Sequence, residues 1–200
     1  MCIISYMEAL DQTRTHELLA AVAEQLAARG AHAELVVIGG SALLAVGLTS
    51  RPTRDVDIVA LLADQTLVDP RPLPAELIAA RDRVARDFGL PENWLNPAPA
   101  DLLDFGLPEG FVERLERHDY GASLTVHFAT RFDQIHFKLY AMVDQGAGKH
   151  ESDLRALSPT RAELLAAARW TRTHDPSEGF REQLLAALAH LGVENVDLDA

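Results

Sequence analysis

Apolar positions along this chain follow two periods, and each change of period marks an element. From Thr15 to Arg29, Leu18, Leu19, Val22 and Leu26 recur at helical spacing and Gly30 marks a stop. That predicts an amphipathic helix. Glu34 to Ile38 is nearly all apolar, as in a strand central to its sheet. Gly39-Gly40 breaks the run, and Ser41 is placed to cap a short helix over 42–46. Asp55 to Leu62 reads as the next strand. Pro70, Pro72 and Pro74 make 68–74 a loop, and Ala75 to Phe88 reads as a second amphipathic helix closed by Gly89.

Residues 90–110, with Pro91, Pro97, Pro99 and Pro108, are the least regular stretch, and Trp94 is expected to anchor it. Phe111 to Arg117 reads as a short helix or strand. Ser123 to Phe128 alternates, with Leu124, Val126 and Phe128 on one face and Thr125 and His127 on the other. Beyond Asp133 the period is helical, over 133–143, 151–157, 159–171 and 176–191, with Pro159 and Pro176 in first turns. The layout is α+β, α/β-like: a small mixed β-sheet flanked by helices, then a helical C-terminal third. It predicts a core over 1–130 and a helical region over 131–200 packed on that core.

At 200 residues and 48% apolar, the chain is long enough for one domain with a real core. No apolar stretch approaches the ~20 residues of a membrane span. The opening Met-Cys-Ile-Ile-Ser-Tyr-Met lacks the features of a signal peptide. The single cysteine, Cys2, excludes an internal disulfide and suits a reducing cytoplasm. A cytoplasmic protein with no membrane partner is expected. The net charge of −12 argues against sequence-blind nucleic-acid binding, which needs a basic face. It leaves room for a small basic cleft that grips one nucleotide or one RNA end. Of the 18 basic residues only Lys138 and Lys149 are lysines, and they lie close together. In an Arg-biased chain they mark either a need for a compact ammonium or an ordinary surface.

Asp55 and Asp57 stand in the run Asp-Val-Asp-Ile-Val, and burying two carboxylates there is costly unless their charge is compensated. Two apart on a strand, they project to one face. A Mg²⁺ or Mn²⁺ between them relieves their repulsion, since hard cations take oxygen ligands. The competing reading is an edge strand whose aspartates face water. Gly39 and Gly40 let the backbone approach a ligand, the following helix start offers N–H groups to a phosphate, and Ser41 adds a hydroxyl; a plain strand-to-helix turn competes. Arg51 or Arg54, in Arg-Pro-Thr-Arg, suits bidentate contact with triphosphate oxygens, or local ion pairing. Thr53 is placed to cap that turn.

Taken together, Gly-Gly-Ser followed by Arg-Pro-Thr-Arg-Asp-Val-Asp resembles the nucleotidyltransferase superfamily signature. The Arg-x-Thr-x-Asp-x-Asp form resembles the AbiEii/MenT-type nucleotidyltransferase toxins and their uncharacterised bacterial relatives. Two further motifs of that group are matched, by Phe137-Lys138-Leu139-Tyr140-Ala141 and by Lys149-His150-Glu151-Ser152-Asp153-Leu154, with His150 in place of the first Asp of the group's segment. The resemblance spans about residues 15–157. It implies a nucleotidyltransferase fold and an enzyme moving NMP from an NTP to an acceptor, a tRNA 3′ end or a protein hydroxyl. A toxin–antitoxin system with a cognate antitoxin is the implied setting. Asp55 and Asp57 would hold Mg²⁺ or Mn²⁺, and Gly39, Gly40 and Ser41 the phosphates. Arg51 or Arg54, Lys138 and Lys149 would neutralise triphosphate charge, and Asp153 would complete the pocket.

The sequence departs from the superfamily in lacking a third carboxylate on a later strand. Ser123–Phe128 offers only His127, and Asp101 and Asp104 are the nearest earlier acids. Either Asp57 acts as base, a one-metal arrangement operates, or His127 does the work; the last competes with a satisfied strand histidine. His136 needs no special role. Two other functions stay open: modification of a small cationic acceptor such as an aminoglycoside, which the acidic charge suits by steering, and a nucleotide-binding module without catalysis.

Overall fold

The computed structural model describes residues 9–198, so Cys2 and the opening segment lie outside the described residues. The described chain is mixed α/β with a six-stranded open sheet, and its contacts divide it into two compact units. The first holds the described residues up to Asp104 together with Leu115–Ala129; the second holds Phe105–Arg114 and the chain from Thr130.

The first unit begins with α1, Gln12–Ala27, capped by Asp11, whose carboxylate accepts from the Arg14 amide. Then follow β1 (Ala33–Ile38), α2 (Gly39–Ala45), β2 (Val56–Ala63), β3 (Thr66–Val68), α3 (Ala75–Phe88), β4 (Leu95–Asn96), a 3₁₀ turn at Ala98–Ala100 and α4 (Asp101–Phe105). After α5 (Phe111–Arg114), β5 (Glu116–Tyr120) and β6 (Leu124–Phe128) complete the sheet. Strand order is β3-β2-β1-β6-β5, and β4 pairs with β2. β1 runs parallel to β6 and antiparallel to β2. The other edge of β2 is shared: β3 pairs antiparallel with its end, Leu61–Ala63, and β4 parallel with its start, Val56–Asp57.

The core of this unit gathers the α1 residues Leu18, Leu19, Val22 and Leu26, the sheet residues Leu35, Val37, Ile58, Val126 and Phe128, and Leu77 and Val84 from α3. Trp94, 1% exposed, joins it and donates its indole N–H to the Arg81 carbonyl at 3.3 Å, which anchors the Pro-rich stretch. All of β6 is buried, Thr125 and His127 included.

The second unit is helical: α6 (Arg131–Gln145), α7 (Gly148–Ala156), α8 (Arg161–His174) and α9 (Glu178–His190), with α6 touching the other three. Pro159 and Pro176 precede the N-caps Thr160 and Ser177 and so lie outside the first turns where they were expected. The Thr160 cap forms a reciprocal box with Glu163, and Arg131 binds Glu163 and the carbonyls of Leu157 and Ser158, fastening α6 to the α7–α8 turn. That guanidinium holds the Glu163 carboxyl down at about 2. Among the described residues no helix is long and apolar enough to cross a membrane.

Candidate active site

β1 ends at Ile38, which stands opposite Asp57 on β2, and the chain turns at once into α2 through Gly39. Gly39 has φ of +77°, a left-handed conformation that L side chains rarely adopt. A Cβ there would lie 2.8 Å from Asp57 Oδ2. The missing side chain therefore leaves the space in which that carboxylate oxygen sits. Gly40 is equally tight against the next segment: a Cβ would meet Thr53 Oγ1 at 3.0 Å and lie 3.8 Å from Arg51 Nη2.

Thr53 is held by a two-way backbone bridge to Leu10. Its hydroxyl donates to Asp55 Oδ1 at 3.2 Å. Asp55 lies one residue before β2, so its direction is set by this threonine rather than by strand alternation. Both carboxylates are thus tied to one two-glycine turn, Asp57 through Gly39 and Asp55 through Thr53 and Gly40. On the opposite edge of β2, Asn96 pairs with Asp57 in register, and its Nδ2 lies 3.5 Å from Asp57 Oδ1. Sequence reading missed Asn96 because its two-residue strand is hidden between prolines.

The expectation for Ser41 needs correction. α2 starts at Gly39 with Ile38 as its N-cap, and no side chain caps it. Ser41 is fully buried within the first turn, and its Oγ has no hydrogen-bond partner among the described residues. Positive φ at Gly39 lets the helix begin three residues early, which moves the serine from the cap into the interior. Arg51 is partly exposed, with its amide bonded to Thr49 Oγ1 at 3.1 Å; Arg54 is exposed.

In the helical unit Lys138 and Asp153 meet. Lys138 Nζ lies 2.7 Å from Asp153 Oδ2, with side chains 7% and 1% exposed, so α6 and α7 share a buried ion pair. Lys149, at the start of α7, is exposed. The candidate bases take structural partners. His127 Nε2 lies 3.1 Å from Glu34 Oε2, the satisfied strand histidine. Asp101 and Asp104 both bind Arg71, which also holds Asp69 and keeps that carboxyl below its usual range. His136 gives its Nδ1 proton to the Phe132 carbonyl at 2.8 Å, and burial lowers its pKa.

Among the described residues no group of three or more His, Cys, Asp or Glu is placed to hold a metal ion. Two carboxylates tied to one turn, one of them against a bare Cα, fit Mg²⁺ or Mn²⁺, which commonly use one or two protein carboxylates and complete their shells with water and substrate phosphate. The space that Gly39 leaves at Asp57 Oδ2 is the observation behind that fit.

The family described as a nucleotidyltransferase of unknown function (DUF6036) matches residues 16–154, well over half of the chain, and the chain belongs to it. The match runs from within α1 to α7 and takes in both the two-glycine turn and the Lys138–Asp153 pair. No curated protein and no solved structure matches the chain.

Proposed function

We propose that this member of a nucleotidyltransferase family moves a nucleoside monophosphate from an NTP to a hydroxyl on a tRNA 3′ end or on a protein, using Mg²⁺ or Mn²⁺ held by Asp55 and Asp57. The observation that carries the reading is the fit of Asp57 Oδ2 into the space left by Gly39, beside an aspartate steered by Thr53. The bound cation supplies positive charge against the triphosphate as the transfer proceeds.

The chain's own groups do the rest. Gly39 and Gly40 let the turn approach phosphate oxygens without a side chain in the way. Arg51, whose Nη2 lies 3.8 Å from where a Gly40 Cβ would stand, and Arg54, next in the chain to Thr53, would offer fixed charge to the leaving pyrophosphate. The acceptor oxygen bonds to the α-phosphorus, its proton passes to the Asp57 carboxylate, and the bond to the β-phosphate oxygen breaks to release pyrophosphate. Buried and engaged with Asp153, Lys138 suits orienting α7 better than direct charge neutralisation. The motif order supports the toxin reading, in which a cognate antitoxin restrains the enzyme.

The test is transfer of label from each α-labelled NTP, with Mn²⁺, to bulk tRNA and to cell protein, with an aminoglycoside as a third acceptor. Label on RNA or protein that vanishes in Asp55→Asn supports the proposal. Label only on the aminoglycoside transfers the reading to a small-molecule enzyme, and NTP binding with no transfer to any acceptor refutes catalysis. Growth arrest on induced expression, relieved by Asp55→Asn, is the expected outcome of the toxin reading; unchanged growth contradicts it.

A further inference from the structure

We infer that Asn96 is the positioning residue of Asp57: its side-chain amide holds one carboxylate oxygen while the bare Gly39 receives the other. This rests on the reading of Asp57 as a cation ligand. Asp57 stands in the sheet between two partners, Ile38 on β1 and Asn96 on β4. Its two oxygens meet different surroundings. Oδ2 fills the space at Gly39, and Oδ1 lies 3.5 Å from Asn96 Nδ2.

A donor at that range is a weak bond, and its value lies in direction. The direction is fixed by two further contacts of the same amide. Asn96 Oδ1 accepts from the backbone N–H of Ala98 at 2.9 Å, and Nδ2 also donates to the Asn93 carbonyl at 3.2 Å. The Ala98 amide can only donate, so Oδ1 must face it and Nδ2 must face Asp57. The asparagine is locked by its own turn, and the lock points a donor at the carboxylate. Its position on a parallel strand in register with β2 makes the placement part of the sheet, where geometry is held more tightly than on a loop.

An outer partner of this kind orients a ligating carboxylate, and its loss commonly costs 10- to 100-fold in metal affinity. The acidic cluster of Asp69, Asp101 and Asp104 has no such role, because Arg71 already occupies it.

Two variants separate positioning from support of the turn. Asn96→Ala removes the amide and the acceptor for Ala98. Asn96→Ser keeps a short acceptor that can close the same two-residue turn, but it cannot reach Asp57. The measurement is Mn²⁺ affinity of the full chain by proton relaxation enhancement, with melting temperatures and Asp57→Asn run alongside. The expected result is that both Asn96 variants bind Mn²⁺ about tenfold more weakly or worse, while Asn96→Ser melts near the native temperature. Native affinity in Asn96→Ser with loss only in Asn96→Ala assigns the residue to the turn and overturns the inference, as does native affinity in both. If the native chain binds Mn²⁺ no better than Asp57→Asn, the cation reading itself fails, and that result is distinct from the other two.

Discussion

Replacing Gly39 by alanine tests the turn at its tightest point. The substitution has two separable effects. At φ of +77° an L residue is strained by about 1–2 kcal/mol. The new methyl also starts 2.8 Å from Asp57 Oδ2, so the carboxylate must retreat until the contact reaches an ordinary 3.4 Å or more. Gly89 provides the control. It closes α3 at φ of +66°, and an added Cβ there meets nothing within 4 Å. Gly89→Ala therefore carries the backbone strain without the overlap. Urea melts should show about 1–2 kcal/mol of destabilisation in Gly89→Ala and more in Gly39→Ala, which adds the overlap to the same strain, with both variants still folded. Mn²⁺ affinity and NMP transfer should then part company. Gly89→Ala keeps native values, and Gly39→Ala loses about tenfold or more, because ligating and reacting groups tolerate only about 0.5 Å of displacement. Native affinity and transfer in a folded Gly39→Ala protein would refute the idea that this space exists for the Asp57 carboxylate.

Lys138→Met breaks a buried ion pair and should destabilise the chain by about 3 kcal/mol in denaturant titration; a native midpoint would show that the lysine is held elsewhere than on Asp153. Trp94→Ala, in the core beneath the Pro-rich stretch, should lose about 3 kcal/mol or more by the same measurement. Burial lowers the folded pKa of His136 and His174 from 6.5, so the unfolded chain binds more protons below that value. Their stability contribution is complete above about pH 6.5 and is lost as the pH falls through the lower folded values. The urea midpoint should drop between about pH 7 and 5, and less so in His136→Asn; an equal drop would remove His136 from the effect.

Much of the framework was legible in the residues. The apolar run at 34–38 and the apolar stretch after Asp57 became β1 and β2, and Gly89 closed α3 at the predicted residue with a left-handed φ. What escaped had no apolar signature. β5, Glu-Arg-His-Asp-Tyr, is an exposed edge strand that carries charge against unwanted pairing. β3 follows a turn in which Asp64 and Gln65 adopt positive φ without a glycine to announce it. β4 is two residues long.

At the site, spacing pointed to the two-glycine turn and to Asp57, since both belong to a short local pattern. It could not place Asn96, which meets Asp57 only through sheet register across 39 residues of chain. Nor could it foresee that a left-handed Gly39 would start α2 early and bury Ser41. The mutual engagement of Lys138 and Asp153 also depends on how α6 and α7 pack, which no motif spacing reports.

Calorimetric titration of an NTP with Mn²⁺ into the native chain and into Asp57→Asn tests the central claim most directly. The account predicts saturable binding by the native protein and its loss in the folded variant. Equal binding by both, or no binding by either, would contradict it.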